Sequence, residues 1–254
     1  MRIGTSGLAS LAVLCAIFIE VNFHMFDIYL FQTIIAIIAI FVFVSAGNSL
    51  NDYFDREIDK INHPERPIPS GKIKPRNALI FSIILFLISL ILSSLINIIS
   101  FFIVLFAMTF QILYELKFKN HYITKNFTIS FLTAMLFVFG SVVVNNEIKI
   151  SPSFILGVLS FFAIFGREII KDIEDYKGDK ERLTIPKKIG IKNASYISSF
   201  FILLSVILSP LPYIILKFNL LYLVLVLITD IIFIYSLKIQ IENPKKARKN
   251  IKIG

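Results

Sequence analysis

Between Leu30 and Leu50 the chain reads LFQTIIAIIAIFVFVSAGNSL, with no charged residue in the run. About 20 apolar residues are what a helix needs to cross the hydrocarbon core of a bilayer. Runs of this kind recur at roughly 8–23, 30–50, 76–95, 97–114, 126–145, 152–170, 194–216 and 219–237. A water-soluble core of this chain length would carry a charged coat, yet only 17% of residues are charged and the mean hydropathy is +0.80. The pattern predicts an all-α polytopic membrane bundle of eight spans, folded as a single domain over residues 1–254. Only Ile96–Asn97 separates the third run from the fourth, which predicts a tight helical hairpin there. The opening MRIGTSGLAS shows no small-residue cleavage pattern of a signal peptide.

The cations orient this bundle. With eight spans, all but two of the 26 Lys and Arg residues fall on one side, the exceptions being Lys149 and Lys217. Cytoplasmic loops carry such an excess, so the charged loops and both termini are expected on the cytoplasmic face of a cell membrane. The net charge of +9 is thereby accounted for by orientation and by anionic substrates. No stacking platform or nucleic-acid motif accompanies it, and no protein partner is indicated. Cys15, alone inside the first run, has no disulfide partner in the chain.

The carboxylates are more selective. All but Glu20, Asp27, Glu147 and Asp230 of the 17 share the cation-rich side. They concentrate after the second and sixth runs. The first cluster, NDYFDREID, places Asn51, Asp55 and Asp59 at i, i+4 and i+8, one face of a helix about 12 Å long. The second, REIIKDIEDYKGD, places Asp172, Asp175 and Asp179 at i, i+3 and i+7, with Arg167 and Lys171 beside them. Carboxylates this close repel unless a cation lies between them.

Hard divalent cations such as Mg²⁺ take a few protein oxygens and fill their remaining positions with water or substrate phosphate. Two acidic stripes therefore point to a diphosphate clamp through bridging metal. Arg66, Lys117, Lys119 and Lys171 are the candidates for direct phosphate contact. One loop aspartate would ordinarily be only solvated; two ordered stripes in a chain so poor in charge call for a cause. His63 reads as a polar loop residue, and His24 and His121 stand at no metal-ligand spacing. Glu20 and Asp230 lie near or within spans, where a carboxylate needs a partner.

These residues resemble the UbiA superfamily of intramembrane prenyltransferases. Asn51, Asp52, Asp55 and Asp59 match its NDxxDxxxD signature, and Arg66-Pro67 through Gly71 its RPxxxG element. Asp172, Asp175 and Asp179 with Lys171 resemble its second aspartate-rich motif, and Tyr114-Glu115-Leu116-Lys117 its tyrosine–lysine segment. The resemblance covers nearly the whole chain. It implies a helical bundle around a central cavity with cytosolic cap loops, and Mg²⁺-dependent transfer of a prenyl group from an isoprenyl diphosphate to a lipophilic acceptor.

In that scheme Asn51, Asp55, Asp59, Asp172, Asp175 and Asp179 hold the metals, with Asp55, Asp59, Asp175 and Asp179 as the catalytic carboxylates. Asn51, Arg66, Tyr114, Lys117, Lys119 and Lys171 bind the diphosphate. Tyr53 and Tyr114 adjoin the motifs and are the aromatics placed to face an allylic cation. Members usually open with an Arg-Pro-x-Asn segment and have nine helices. Here the chain opens MRIGTSGLAS and ends ENPKKARKNIKIG, where a ninth would begin.

The RPIPSGKI and DIEDYKGDK forms look most like the family's archaeal ether-lipid branch. That likeness implies geranylgeranyl diphosphate as donor and the phosphate-bearing lipid geranylgeranylglyceryl phosphate as acceptor. Two other readings compete: transfer to an aromatic acceptor such as 4-hydroxybenzoate, and cation-coupled transport. A transporter would place its carboxylates at mid-membrane. These stripes lie at span ends.

Overall fold

In hydrocarbon every backbone N–H and C=O must be satisfied within its own segment, so long apolar runs become helices. A computed structural model of the protein, describing residues 3–21, 28–177, 183–216 and 218–253, shows helices and no strand among those residues. The long ones are α1 (Ile3–Glu20), α2 (Leu30–Phe54), α4 (Pro75–Ser94), α5 (Ile98–Leu116), α6 (Thr124–Asn145), α7 (Pro152–Glu174), α9 (Ile191–Leu208) and α11 (Leu220–Ile239). Shorter helices are α3 (Arg56–Asn62), α8 (Ile185–Ile189), α10 (Leu211–Leu216) and α12 (Pro244–Ile253).

Seven segments are long and apolar enough to cross a membrane: α2, α4, α5, α6, α7, the α9–α10 pair and α11. The expected first span is the shorter helix α1, which begins at Ile3 rather than near residue 8. The expected span 194–216 is broken after Leu208, because Pro210 and Pro212 cannot donate to the helical ladder. The predicted hairpin is present: α4 ends at Ser94, α5 begins at Ile98, and Asn97 Oδ1 accepts from Ser100 N at 2.7 Å.

The chain divides into two compact units. The first comprises Met1–Leu116 with Met135–Ser153. Here α2 packs on α1, α4 and α5, and small residues make the approach close. Ser82 Oγ donates to Ala46 O and Ser89 Oγ to Ala39 O, each at 2.9 Å, and Ser10 Oγ donates to Ile37 O at 3.0 Å. Such contacts hold helices together where apolar side chains gain nothing from leaving lipid. Gly140 of α6 lies so near α1 that a Cβ there would stand 2.5 Å from Ala16 Cβ.

Glu20, unexplained by its sequence position, ties this unit together. Its oxygens accept from Asn145 Nδ2 at 3.0 Å and from Ser153 N, in the first turn of α7, at 2.9 Å. The carboxylate thus caps a helix N-terminus.

The second unit comprises Lys117–Ala134 with Phe154–Gly254. Gly166 brings α7 against α9, where Ser198 Oγ donates to Gly166 O at 3.0 Å. Ala163, Ile170, Ile202, Phe233, Ala247 and Ile251 form one core that seats α12. Asp230, in the middle of α11, accepts from Ser209 Oγ at 2.6 Å, and Tyr222 Oη donates to Ser209 O at 2.8 Å. Both intramembrane carboxylates are therefore partnered within their own unit. On the outer surface Ile231 is 68% exposed and Ile91 61%, an ordinary state for side chains facing lipid but a liability in water.

Candidate active site

The first acidic motif begins in the last turn of α2 and runs into α3. α2 ends at Phe54 and α3 begins at Arg56, yet Asp55 N donates to Asn51 O and Asp59 N to Asp55 O, both at 2.8 Å. The helical ladder therefore continues through the junction. Asn51, Asp55 and Asp59 share one face, as their spacing predicts. Their surroundings differ. Asn51 and Asp55 are half-buried, whereas Asp59 is buried and both its oxygens accept from Arg66 Nη1, at 2.7 and 2.6 Å. The RPIPSG segment thus folds back on the motif: Arg66 N donates to His63 O, and Ser70 N to Arg66 O.

Arg66, read from sequence as a phosphate ligand, has an acidic partner of its own. One face of the Tyr53 ring carries the Arg56 guanidinium at 4.7 Å, which takes that face from any allylic cation. Tyr114 is half-buried near the end of α5. Beside it Glu115, which sequence reasoning passed over, is buried and accepts from Asn51 Nδ2 at 3.0 Å.

The second motif occupies the end of α7, which runs to Glu174 rather than stopping near 170. Asp172 is 1% exposed. Lys125 Nζ donates to its Oδ1 and Asn126 Nδ2 to its Oδ2, the latter at 3.0 Å. Glu168 is likewise buried between Arg167 Nη1, at 2.7 Å, and Lys171 Nζ, at 3.3 Å. Asp175 opens a 3₁₀ turn beyond the helix and reaches the surface. Protein packed behind that carboxyl desolvates it and holds it above the usual carboxylate range, with Lys171 pulling the other way. Asp179 lies outside the described residues.

Lys117 is exposed and Lys119 buried in the turn after α5. Lys125, Asn126 and Glu168 were not singled out from sequence. Their only signal was polarity beside an apolar run. The partner of Lys125 and Asn126, Asp172, is far away in the chain, whereas Glu168 pairs with its own neighbours Arg167 and Lys171.

Among the described residues no three carboxylate, imidazole or thiol side chains form a ready metal cage. Mg²⁺ does not require one, since it binds through one or two carboxylates and completes its octahedron with water and phosphate oxygens. Within the first unit the oxygen donors of Asn51 and Asp55 fit such coordination, and within the second the carboxyl of Asp175 does. Asp175 in particular is a partly desolvated surface carboxyl whose ionised form a divalent cation would favour.

A membrane bundle with aspartate-rich helix ends belongs to a narrow class of proteins. Residues 9–253 match the UbiA prenyltransferase family, and the chain belongs to that family. It is accordingly a multi-pass membrane protein, and transport is set aside. It is 41% identical, over 87% of its length and 77% of the relative's, to digeranylgeranylglyceryl phosphate synthase of Methanocaldococcus jannaschii. A solved digeranylgeranylglyceryl phosphate synthase structure matches at TM-score 0.83 and 38% identity, covering 99% of this chain and 90% of that one. A UbiA homologue from Archaeoglobus fulgidus, solved bound to GPP and Mg²⁺, shares the fold at TM-score 0.72 and 16% identity, over 99% and 95% of the two chains.

Proposed function

We propose that this chain transfers the geranylgeranyl group of geranylgeranyl diphosphate to the free hydroxyl of geranylgeranylglyceryl phosphate. The new C–O bond is the second ether of an archaeal membrane lipid precursor. The allylic C–O bond to diphosphate breaks, diphosphate leaves, and the hydroxyl proton is released. The observation that carries this reading is the 41% identity with the Methanocaldococcus jannaschii synthase over most of both chains.

In this reading the whole chain is one integral-membrane prenyltransferase domain with both acidic motifs on the cytoplasmic face. The one-sided distribution of cations supports that orientation. Asn51, Asp55, Asp175 and Asp179 hold Mg²⁺, as in a family whose Archaeoglobus fulgidus member has been solved with Mg²⁺ and GPP. Asp59 and Asp172 complete the acidic set, each with a protein cation, Arg66 or Lys125, beside it. The metal supplies positive charge to the departing diphosphate.

Arg66, Tyr114, Lys117, Lys119 and Lys171 bind its oxygens, so that negative charge developing on them is met by fixed donors. The apolar helices keep water from the allylic carbon. The acceptor's phosphate suits the cation-rich face. The test is transfer from labelled geranylgeranyl diphosphate by the detergent-solubilised protein, with and without Mg²⁺. Mg²⁺-dependent diether, lost in Asp55→Ala and in Asp175→Ala, supports the reading. Diether formed equally well after chelation contradicts it.

A further inference from the structure

A buried carboxylate at the end of a membrane helix is costly and needs a reason. Glu115 is 5% exposed at the end of α5, and its Oε1 accepts from Asn51 Nδ2 at 3.0 Å. One turn earlier on both helices, a Cβ on Gly47 would meet Gln111 Cδ at 3.4 Å. Two successive turns of α2 and α5 therefore face each other, Gly47 against Gln111 and Asn51 against Glu115.

An amide presents a donor and an acceptor on the same planar group, and only the acceptor binds a metal or a cationic group. A carboxylate can only accept. Opposite Glu115, the side chain of Asn51 has one favourable orientation, with its NH₂ toward Glu115 and its Oδ1 turned away. The reverse would set two acceptor oxygens against each other in a buried place. The carboxylate on α5 thus selects which end of the Asn51 amide is presented to the acidic face shared with Asp55.

We propose that Glu115 is a positioning residue, which fixes the amide of Asn51 with its oxygen toward the divalent cation and thereby sets the affinity of the first acidic motif for that cation. This inference rests on the metal-binding role proposed above for Asn51. Partners of this kind, one bond removed from a metal, commonly change affinity by about 10–100-fold when lost.

Binding of Mn²⁺, read from the electron paramagnetic resonance signal of the unbound ion in the presence of geranylgeranyl diphosphate, gives a measure independent of turnover. The Mg²⁺ concentration for half-maximal transfer gives a second. Glu115→Gln keeps the shape but offers either a donor or an acceptor, so the orientation of Asn51 is no longer selected. Both measures are expected to weaken about tenfold, with the thermal unfolding midpoint of the metal-free protein unchanged.

Asn51→Asp alone sets two carboxylates face to face and is expected to weaken the fold. Combining it with Glu115→Gln restores a donor opposite an acceptor at the same net charge, and should return Mn²⁺ binding to within about threefold of the original. The inference is overturned if Glu115→Gln leaves both measures unchanged, or if the paired exchange binds Mn²⁺ no better than Glu115→Gln. Should Glu115→Gln fail to fold, the paired exchange decides alone by the same criterion against the unaltered protein. An unaltered protein that neither binds Mn²⁺ nor needs Mg²⁺ for transfer overturns the proposed function and this inference with it. A metal-dependent protein indifferent to Glu115 overturns the inference alone.

Discussion

Arg66 Nη1 donates to both oxygens of Asp59, at 2.7 and 2.6 Å, and so ties the RPIPSG segment to the first acidic motif. The Asp59 side chain is 6% exposed and that of Arg66 28%. Removing one partner leaves a buried charge, which costs more than the pair contributes. Arg66→Gln is expected to destabilise the protein by about 3 kcal/mol, the low end of the range for such pairs because Arg66 keeps some contact with water. Asp59→Asn combined with Arg66→Gln should cost less than Arg66→Gln alone. Thermal unfolding of the three variants in one detergent checks this.

Helix approach in both units depends on missing side chains. At Gly166 a Cβ would stand 2.5 Å from Ile202 Cγ1 and 2.9 Å from the backbone oxygen of Ser198. At Gly140 it would stand 2.5 Å from Ala16 Cβ and 3.1 Å from Val13 O. Gly166→Ala and Gly140→Ala should each destabilise by about 1–3 kcal/mol through overpacking. Gly7→Ala, with nothing within 4 Å, should leave the unfolding midpoint unchanged or raise it, since alanine favours a helix over glycine.

Asp175 gives a pH signature. Partial desolvation by the protein behind it raises this surface carboxyl above the ordinary value in the folded chain, and Lys171 offsets this only in part. The folded metal-free protein therefore holds this proton more tightly than the unfolded chain. Its contribution to stability is full below the unfolded pKa and is lost as pH rises through the folded one. Asp175→Asn should raise the unfolding midpoint of metal-free protein at neutral pH and should diminish stabilisation by added Mg²⁺. In the unaltered protein, the Mg²⁺ requirement should climb as pH is lowered into the range just above that of ordinary carboxylates.

Arg248 couples α12 to this motif. Its Nε donates to Glu174 Oε2 at 2.7 Å and its Nη2 to Oε1 at 3.3 Å, and its charge helps to lower the Asp175 carboxyl. Arg248→Ala should cost only about 1 kcal/mol, because the pair is partly exposed and Ala247 and Ile251 still anchor the helix. It should also shift the Mg²⁺ requirement of transfer to higher pH. A pH series of Mg²⁺ titrations on Arg248→Ala measures that shift.

Hydropathy placed most membrane helices within a few residues, because hydrocarbon imposes helical structure on any long apolar run. It did not find the break after Leu208, where Pro210 and Pro212 sit in a run whose apolarity never falls. The stripe Asn51–Asp55–Asp59 was legible because helical spacing is a local property and the ladder continues through Asp55. Its pairings were less so. Lys125 and Asp172 stand 47 residues apart, and Glu20 and Ser153 133 apart. Periodicity says which residues share a face but not what lies opposite. For the same reason Glu115, visible in YELK, gave no sign that it would meet Asn51 on another helix.

The central claim is the identity of the acceptor, and product identification in a competition tests it most directly. The purified protein would receive labelled geranylgeranyl diphosphate, Mg²⁺, and equal amounts of geranylgeranylglyceryl phosphate and 4-hydroxybenzoate, with products resolved by mass spectrometry. The account predicts label almost wholly in the diether, Mg²⁺-dependent, with little or none in the aromatic acid. Label in prenylated 4-hydroxybenzoate, with no diether formed, would contradict it.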